Sequence, residues 1–212
     1  MPDGDHTARY SHAGALTRRA FVVQGAACSG AVWLLASCDR VRPSQEQRKV
    51  LTANEWNMVS AITGCIIPTD HEPGAIEANC VGFIDGALAN EEAQLRPLYQ
   101  VGLRQLDAVC RDRFNRPFLK LASTEQDRVL SALESEQLRA WGSPDITPLA
   151  FFATVRTHTI IGFLADPKYG GNRSYVGWQV VGYPGPRHRS GGYLPAQMLS
   201  ASKIRAIWGD EI

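Results

Sequence analysis

Residues 151–185 read FFATVRTHTIIGFLADPKYGGNRSYVGWQVVGYPG, and a change of character halfway along them decides the fold. The first half predicts a helix, because Phe151, Phe152, Val155, Thr159, Ile160 and Phe163 recur at roughly helical spacing behind a Thr147-Pro148 start signal. Asp166-Pro167 ends that pattern, and Tyr169-Gly170-Gly171-Asn172 favours turns, since Gly and Asn tolerate positive φ. The rest predicts a long irregular segment carrying Tyr175, Trp178 and Tyr183. A segment of this length without secondary structure is usually functional or disordered, and three aromatics argue against disorder. The expectation is an aromatic loop that needs a surface to cover.

Upstream, the chain reads as a succession of amphipathic helices. Thr52-x-x-Glu55 is a capping box opening a helix whose apolar face is Trp56, Val59, Ile62 and Ile66, and Pro68 stops it. The turn 69–74 leads into a second helix from about Ala75 to Leu88, with Ile76, Phe83, Ile84 and Leu88. A third helix, broadly 91–114, places Leu95, Leu98, Leu103, Leu106, Val109 and Cys110 largely on one side. Ser123-x-x-Gln126 predicts another capping box, before Val129, Leu130, Leu133 and Leu138. Pro195 starts a short final helix with Met198, Leu199, Ile204 and Ile207. The fold class is therefore all-α: a small helical domain with a long Gly- and aromatic-rich irregular C-terminal segment.

The first 37 residues read differently. Thr17-Arg18-Arg19-Ala20-Phe21-Val22 has the twin-arginine form, and an apolar run interrupted by Gln24, Gly25, Ser29 and Gly30 extends to Ser37. That run is too broken for a stable bilayer span, so residues 1–37 are expected to be an export signal for folded cargo. Leu35-Ala36-Ser37-Cys38 looks like a lipoprotein processing box, which would make Cys38 a lipidated N-terminus; cleavage near Ala36 is the alternative. Residues 38–50 are polar and predict a linker, leaving 51–212 as the helical domain.

The whole chain has a formal charge of +1. Loss of the leader removes Arg9, Arg18 and Arg19 with Asp3 and Asp5, which leaves a neutral chain and argues against a nucleic-acid partner. Beyond Cys28 and Cys38, the cysteines are Cys65, Cys80 and Cys110, with no zinc, haem or iron-sulfur spacing. Cys65 and Cys80 bracket the Pro-rich turn, so in an oxidising compartment they are a possible disulfide; two buried free thiols are the other reading. His158, with Asp166 two turns on, is the one arrangement that suggests acid-base chemistry, as in an independent periplasmic hydrolase. Against it, no nucleophile motif accompanies them, and a structural histidine fits as well. Asp70-His71-Glu72 are adjacent and predict a solvated turn more than a metal site. The run 182–192, GYPGPRHRSGG, matches neither a phosphate loop nor a dinucleotide fingerprint.

Two blocks carry a resemblance. Arg156-x-His158-Thr159-x-x-Gly162-Phe163-x-x-Asp166-Pro167-x-Tyr169-Gly170-Gly171-Asn172, with Gly177-Trp178 and Gly182-Tyr183-Pro184-Gly185, and Ile66-Ile67-Pro68-x-Asp70-x-x-Pro73-Gly74-Ala75, with Phe83-Ile84-Asp85, occur in the order seen in subunit 3 of bacterial membrane-associated gluconate 2-dehydrogenase. The chain resembles that family, which also supplies small subunits to related flavin-dependent sugar and polyol dehydrogenases. The resemblance implies a non-catalytic small subunit that binds no cofactor of its own. It also implies a flavoprotein large subunit carrying FAD, a multi-haem cytochrome c that takes the electrons, and export of the large subunit on this chain's twin-arginine signal. The complex would sit in the periplasm, attached to the inner membrane by a lipid anchor or through its other subunits. The expected interface with the large subunit comprises Arg156, His158, Phe163, Asp166, Tyr169, Asn172, Tyr175, Trp178 and Tyr183, with no catalytic or metal-binding residue in this chain.

Overall fold

The computed structural model describes residues 48–186, apart from 136 and 139, and residue 204. The expected leader with Arg18, Arg19 and Cys28, the lipidation position Cys38, the first ten residues of the linker and nearly all of the final helix lie outside the described residues. Among those described there are six α-helices, four short 3-10 turns and no strand, so the all-α expectation holds.

α1 (Ala53–Ile66) opens on the predicted box. Thr52 Oγ1 accepts from Glu55 N, and Glu55 Oε2 accepts from Thr52 N at 2.8 Å. α2 (Cys80–Ala89) begins five residues later than expected, because 74–79 double back: Ala75 N donates to Ile67 O and Asn79 turns left-handed at φ 57°. α3 (Arg96–Phe114) follows a 3-10 turn at Ala93–Leu95, so the helix predicted from 91 starts with a tighter coil. α4 (Ser123–Glu134) corrects the predicted box by one residue. Its N-cap is Ala122, whose N–H donates to Glu125 Oε2 at 2.8 Å, while Gln126 Nε2 donates to Phe118 O. α5 (Pro148–Leu164) starts where Thr147-Pro148 places it, with Thr147 Oγ1 accepting from Ala150 N.

α5 is the axis of the fold and packs on each of the other five helices. Phe151, Phe152, Val155, Thr159 and Phe163 form its buried side, while Arg156, Thr157, Ile160, Ile161 and Leu164 face outward. Phe151 and Val155 meet Ile62 of α1, Ile84 and Leu88 of α2, Leu103 and Leu106 of α3, and Leu133 of α4 in the main core. A smaller cluster joins Phe163 of α5 to Ala75, Ala78 and Cys80, with Ile67 and Val176 against it.

The C-terminal segment departs most from expectation. It is built of 3-10 turns at Pro167–Tyr169 and Arg173–Tyr175 and a short helix, α6 (Val176–Val181). Its glycines explain the difference. A Cβ on Gly171 would overlap the Gly162 carbonyl oxygen, and one on Gly177 would overlap that of Phe163. Gly171, which reads as a turn signal, and Gly177 are there to let two backbones touch.

Candidate functional site

Asn172 organises the C-terminal half. Its side chain is wholly buried and its backbone is left-handed at φ 44°, a conformation Asn tolerates better than most residues. Asn172 N donates to Gly162 O at 2.7 Å and Nδ2 donates to Ala165 O at 2.9 Å, which satisfies carbonyls at the end of α5. Oδ1 accepts from Gly177 N at 2.8 Å, at the start of α6. One amide therefore ends one helix and begins the next. The segment is also pinned to the front of α2: Asn79 Nδ2 donates to Gly170 O, and Arg173 N to Ala78 O.

Trp178 corrects the expectation of an exposed aromatic loop. It is 4% exposed, its Nε1 donates to Leu164 O at 2.6 Å, and its ring lies between Tyr175 and Tyr183, with centroids at 5.5 and 5.1 Å. The surface that Trp178 covers is the chain's own α5. Phe163, His158 and Asn172 are also buried within the chain, whereas Asp166, Tyr175 and Tyr183 are half-buried and Arg156 and Tyr169 are exposed. Arg156 forms an ion pair with Glu134 and lies over the Phe152 ring.

His158 does not meet Asp166. Asp166 caps its own turn, with Oδ1 accepting from Lys168 N. His158 instead lies between Tyr99 of α3, whose hydroxyl is 2.9 Å from Nδ1, and Glu92, whose Oε2 is 2.6 Å from Nε2. Burial holds His158 below its ordinary value, opposed by the Glu92 charge, and burial followed by that same charge raises the Tyr99 hydroxyl. The neutral ring can then accept from Tyr99 at Nδ1 and present its Nε2 proton to Glu92. This chain ties α5 to α3 and to the turn before it, and no nucleophile stands beside it. The acid-base pairing of the hydrolase reading is not assembled.

Asp85 has a role that the sequence reading missed. It is buried on α2, Oδ1 accepts from Val50 N and Leu51 N at 3.0 and 2.8 Å, and Oδ2 accepts from Lys49 N. A lone acid within the apolar run Val81–Ala89 was the available signal. Glu92 and Tyr99 left no such trace, because the partner that defines them is more than fifty residues away.

Of the two readings of the cysteines, the structure has the free thiols. Cys65, Cys80 and Cys110 are free. Cys65 packs against the main core and Cys80 lies in the smaller cluster, so the two thiols belong to different interiors. Burial, with the Asp127 charge beside Cys65 and the Asp107 charge beside Cys110, raises each thiol to about 12 and keeps it protonated. At the 69–74 turn, His71 lies 3.1 Å from Asp70 on the surface, and no group of three metal-ligating side chains occurs among the described residues. A shallow groove of about 240 Å³ runs between α1 and α3, but Glu55 and Asp107 on its wall are occupied by the α1 cap and by Arg111 and Phe118 N. No described helix is long and apolar enough to cross a membrane.

What stands out on the surface is apolar. Ile160, Ile161 and Leu164 on α5, and Val180 and Val181 on α6, all face solvent. No curated protein and no solved structure matches the chain. A family match, to Gluconate 2-dehydrogenase subunit 3, runs over residues 53–185 and takes in all six helices, the Asn172 clamp and both blocks of the sequence resemblance. The chain belongs to the gluconate 2-dehydrogenase subunit 3 family.

Proposed function

We propose that this chain is a non-catalytic accessory subunit of a periplasmic, membrane-associated dehydrogenase that uses FAD in a separate large subunit to oxidise gluconate or a similar sugar. The observation that carries this reading is the family match, which runs over residues 53–185 and so takes in all six described helices rather than one motif. The geometry agrees with it. The polar side chains of the two matching blocks hold the chain itself together: Asn172 joins α5 to α6, Asp85 holds the backbone of residues 49–51, and His158 meets the Tyr99 side chain of α3. A domain so built is suited to presenting a surface. In this reading electrons leave the flavin for a multi-haem cytochrome c, and Arg18-Arg19 direct the folded pair of subunits to the twin-arginine machinery. Cys38 or the complex itself holds it at the inner membrane.

Coexpression with the FAD-binding dehydrogenase subunit of the same organism tests the proposal. The chain alone should be colourless and inactive towards gluconate and related sugars with an artificial electron acceptor; the pair should copurify, show flavin absorbance and be active. Activity of the isolated chain, or failure of the two to associate, would overturn it. The double change Arg18→Lys and Arg19→Lys keeps the charge and removes the forked guanidinium donors, so it should leave both subunits in the cytoplasm. Export of the large subunit despite that change would show that it has its own route.

A further inference from the structure

We propose that Tyr99, His158 and Glu92 form an acid-operated latch between α3 and α5, in which a proton taken up by the imidazole releases the Tyr99 hydroxyl and lets water into the seam. The three groups meet on one ring: the Tyr99 hydroxyl is 2.9 Å from Nδ1, and Glu92 Oε2 is 2.6 Å from Nε2. Tyr99 and His158 are 1% and 5% exposed, and their rings lie 15° from parallel with centroids 5.9 Å apart. Phe151 meets the Tyr99 ring edge-on at 6.3 Å, so the joint sits in the main core.

The two nitrogens of the ring have different tasks. A carboxylate only accepts, so the neutral imidazole keeps its proton on Nε2, towards Glu92, and leaves Nδ1 bare to accept from Tyr99. Glu92 Oε2 is buried and has no partner among the described residues but that ring. Likewise Nδ1 is the one group that the Tyr99 hydroxyl bonds among the described residues. A second proton on the ring therefore goes to Nδ1 and turns the acceptor into a donor. Two donors then face each other. The Tyr99 oxygen can turn to accept, but its own hydrogen is left without a partner in the core, a costly state for a buried hydroxyl. At Nε2 the reverse holds, since imidazolium and carboxylate become an ion pair. The proton thus shifts the grip of α5 from α3 to the turn before it, and Glu92, whose side chain is 37% exposed, is the member through which solvent reaches the ring.

Charged groups on the surrounding elements are held by other partners. Arg96 of α3 donates to Leu88 O and Ala89 O, Asp85 of α2 accepts from residues 49–51, Glu134 of α4 pairs with Arg156, and Glu55 of α1 closes its own cap. Glu91 is exposed, the later charges of α3 and α4 are exposed or paired, as in Asp107 with Arg111 and Arg116 with Glu125, and α6 carries no titratable side chain. Burial sets His158 below its ordinary value of 6.5, and Glu92 is the charge that opposes it. The hold on Tyr99 is therefore complete above that value and is lost as pH falls through the lower, folded one.

The test titrates the full chain from neutral to acid pH, with the His158 ring followed by NMR and amide hydrogen exchange followed along α3, in the wild type and in Tyr99→Phe and Glu92→Gln. In the wild type, protonation of His158 and faster exchange in the first turns of α3 should share one midpoint below 6.5, with the amides of α1 unmoved. Tyr99→Phe leaves no hydroxyl to strand, so His158 should bind its proton about tenfold more tightly, and exchange in α3 should cease to follow that titration. Glu92→Gln removes the charge that favours imidazolium and should weaken proton binding about tenfold. A His158 that titrates in Tyr99→Phe as it does in the wild type would overturn the latch, and so would acid-driven exchange in α3 that persists unchanged in that variant. A wild-type midpoint at or above 6.5 would do the same. None of these readouts depends on the dehydrogenase reading above.

Discussion

Asp85 and Asn172 do the same job, one for the N-terminal stretch of the domain and one for its C-terminal segment, with different chemistry. Each is a buried side chain that holds several backbone groups. Asp85 receives a stretch of chain that offers three successive N–H groups, Lys49 to Leu51, and a carboxylate, which only accepts, suits a run of donors. Asn172 stands between a helix that ends and a helix that begins, and so faces carbonyls on one side and N–H groups on the other. The amide donates to the first and accepts from the second, which an ionised carboxylate cannot do. The side chain at each clamp is dictated by which kind of orphaned backbone group it must satisfy.

Exchanging the two chemistries is the most direct way to break this comparison. Asn172→Asp should be the most damaging change, costing about 4 kcal/mol, because the lost donor sets a carboxylate oxygen against Ala165 O in a buried position. Asp85→Asn should cost less, about 2–3 kcal/mol, since one oxygen still accepts while the new NH₂ meets a backbone N–H. Urea denaturation of both variants checks the order, and an Asp85→Asn protein less stable than Asn172→Asp would show that the matching argument is wrong. Below these comes Thr52→Ala at about 1 kcal/mol, the usual cost of losing an N-cap oxygen on an exposed turn.

A pH experiment sharpens the comparison by adding a buried group that titrates. Burial depresses His158 in the folded protein. A depressed value means that its contribution is fully present above the ordinary histidine value near 6.5 and is lost as pH falls through the lower, folded value. Stability should therefore decline on acidification below about 6.5, and His158→Asn should flatten that decline. An unchanged slope in the variant would assign the acid sensitivity to other groups.

How much of this was legible in the sequence depended on distance. The caps of α1 and α5 were readable because Thr52 with Glu55, and Thr147 with Pro148, act within a single turn. The α4 cap was misread by one position, since both Ser123-x-x-Gln126 and Ala122-x-x-Glu125 fit the spacing and the carboxylate of Glu125 won the N-cap N–H. α6 does not show in the sequence because Gly171, in the run read as a turn, is a close approach of one backbone to another, and so is Gly177 within α6. Trp178, expected on a partner-facing loop, is buried against α5, because its Nε1 reaches Leu164 O, a contact the sequence does not display. The contacts that fix the site, Glu92 with His158 and Asn79 with Gly170, span 66 and 91 residues, and no local pattern encodes either.

The 91-residue separation between Asn79 and Gly170 also sets a clock. At the usual ~5–20 residues per second of synthesis, roughly 5–18 s pass between the appearance of Asn79 and that of Gly170. Until then the Gly170 carbonyl that Asn79 bonds has not been made, Ala75, Ala78 and Cys80 have no Phe163 to pack against for most of the interval, and Trp178 has yet to cap the last turn of α5. The domain is thus completed from its C-terminal side, late, and a nascent chain with the first four helices in place still shows an open apolar seam to anything that binds unfinished proteins. Synthesis speed over the stretch from α4 to α6 becomes a determinant of yield, separate from the stability of the finished fold.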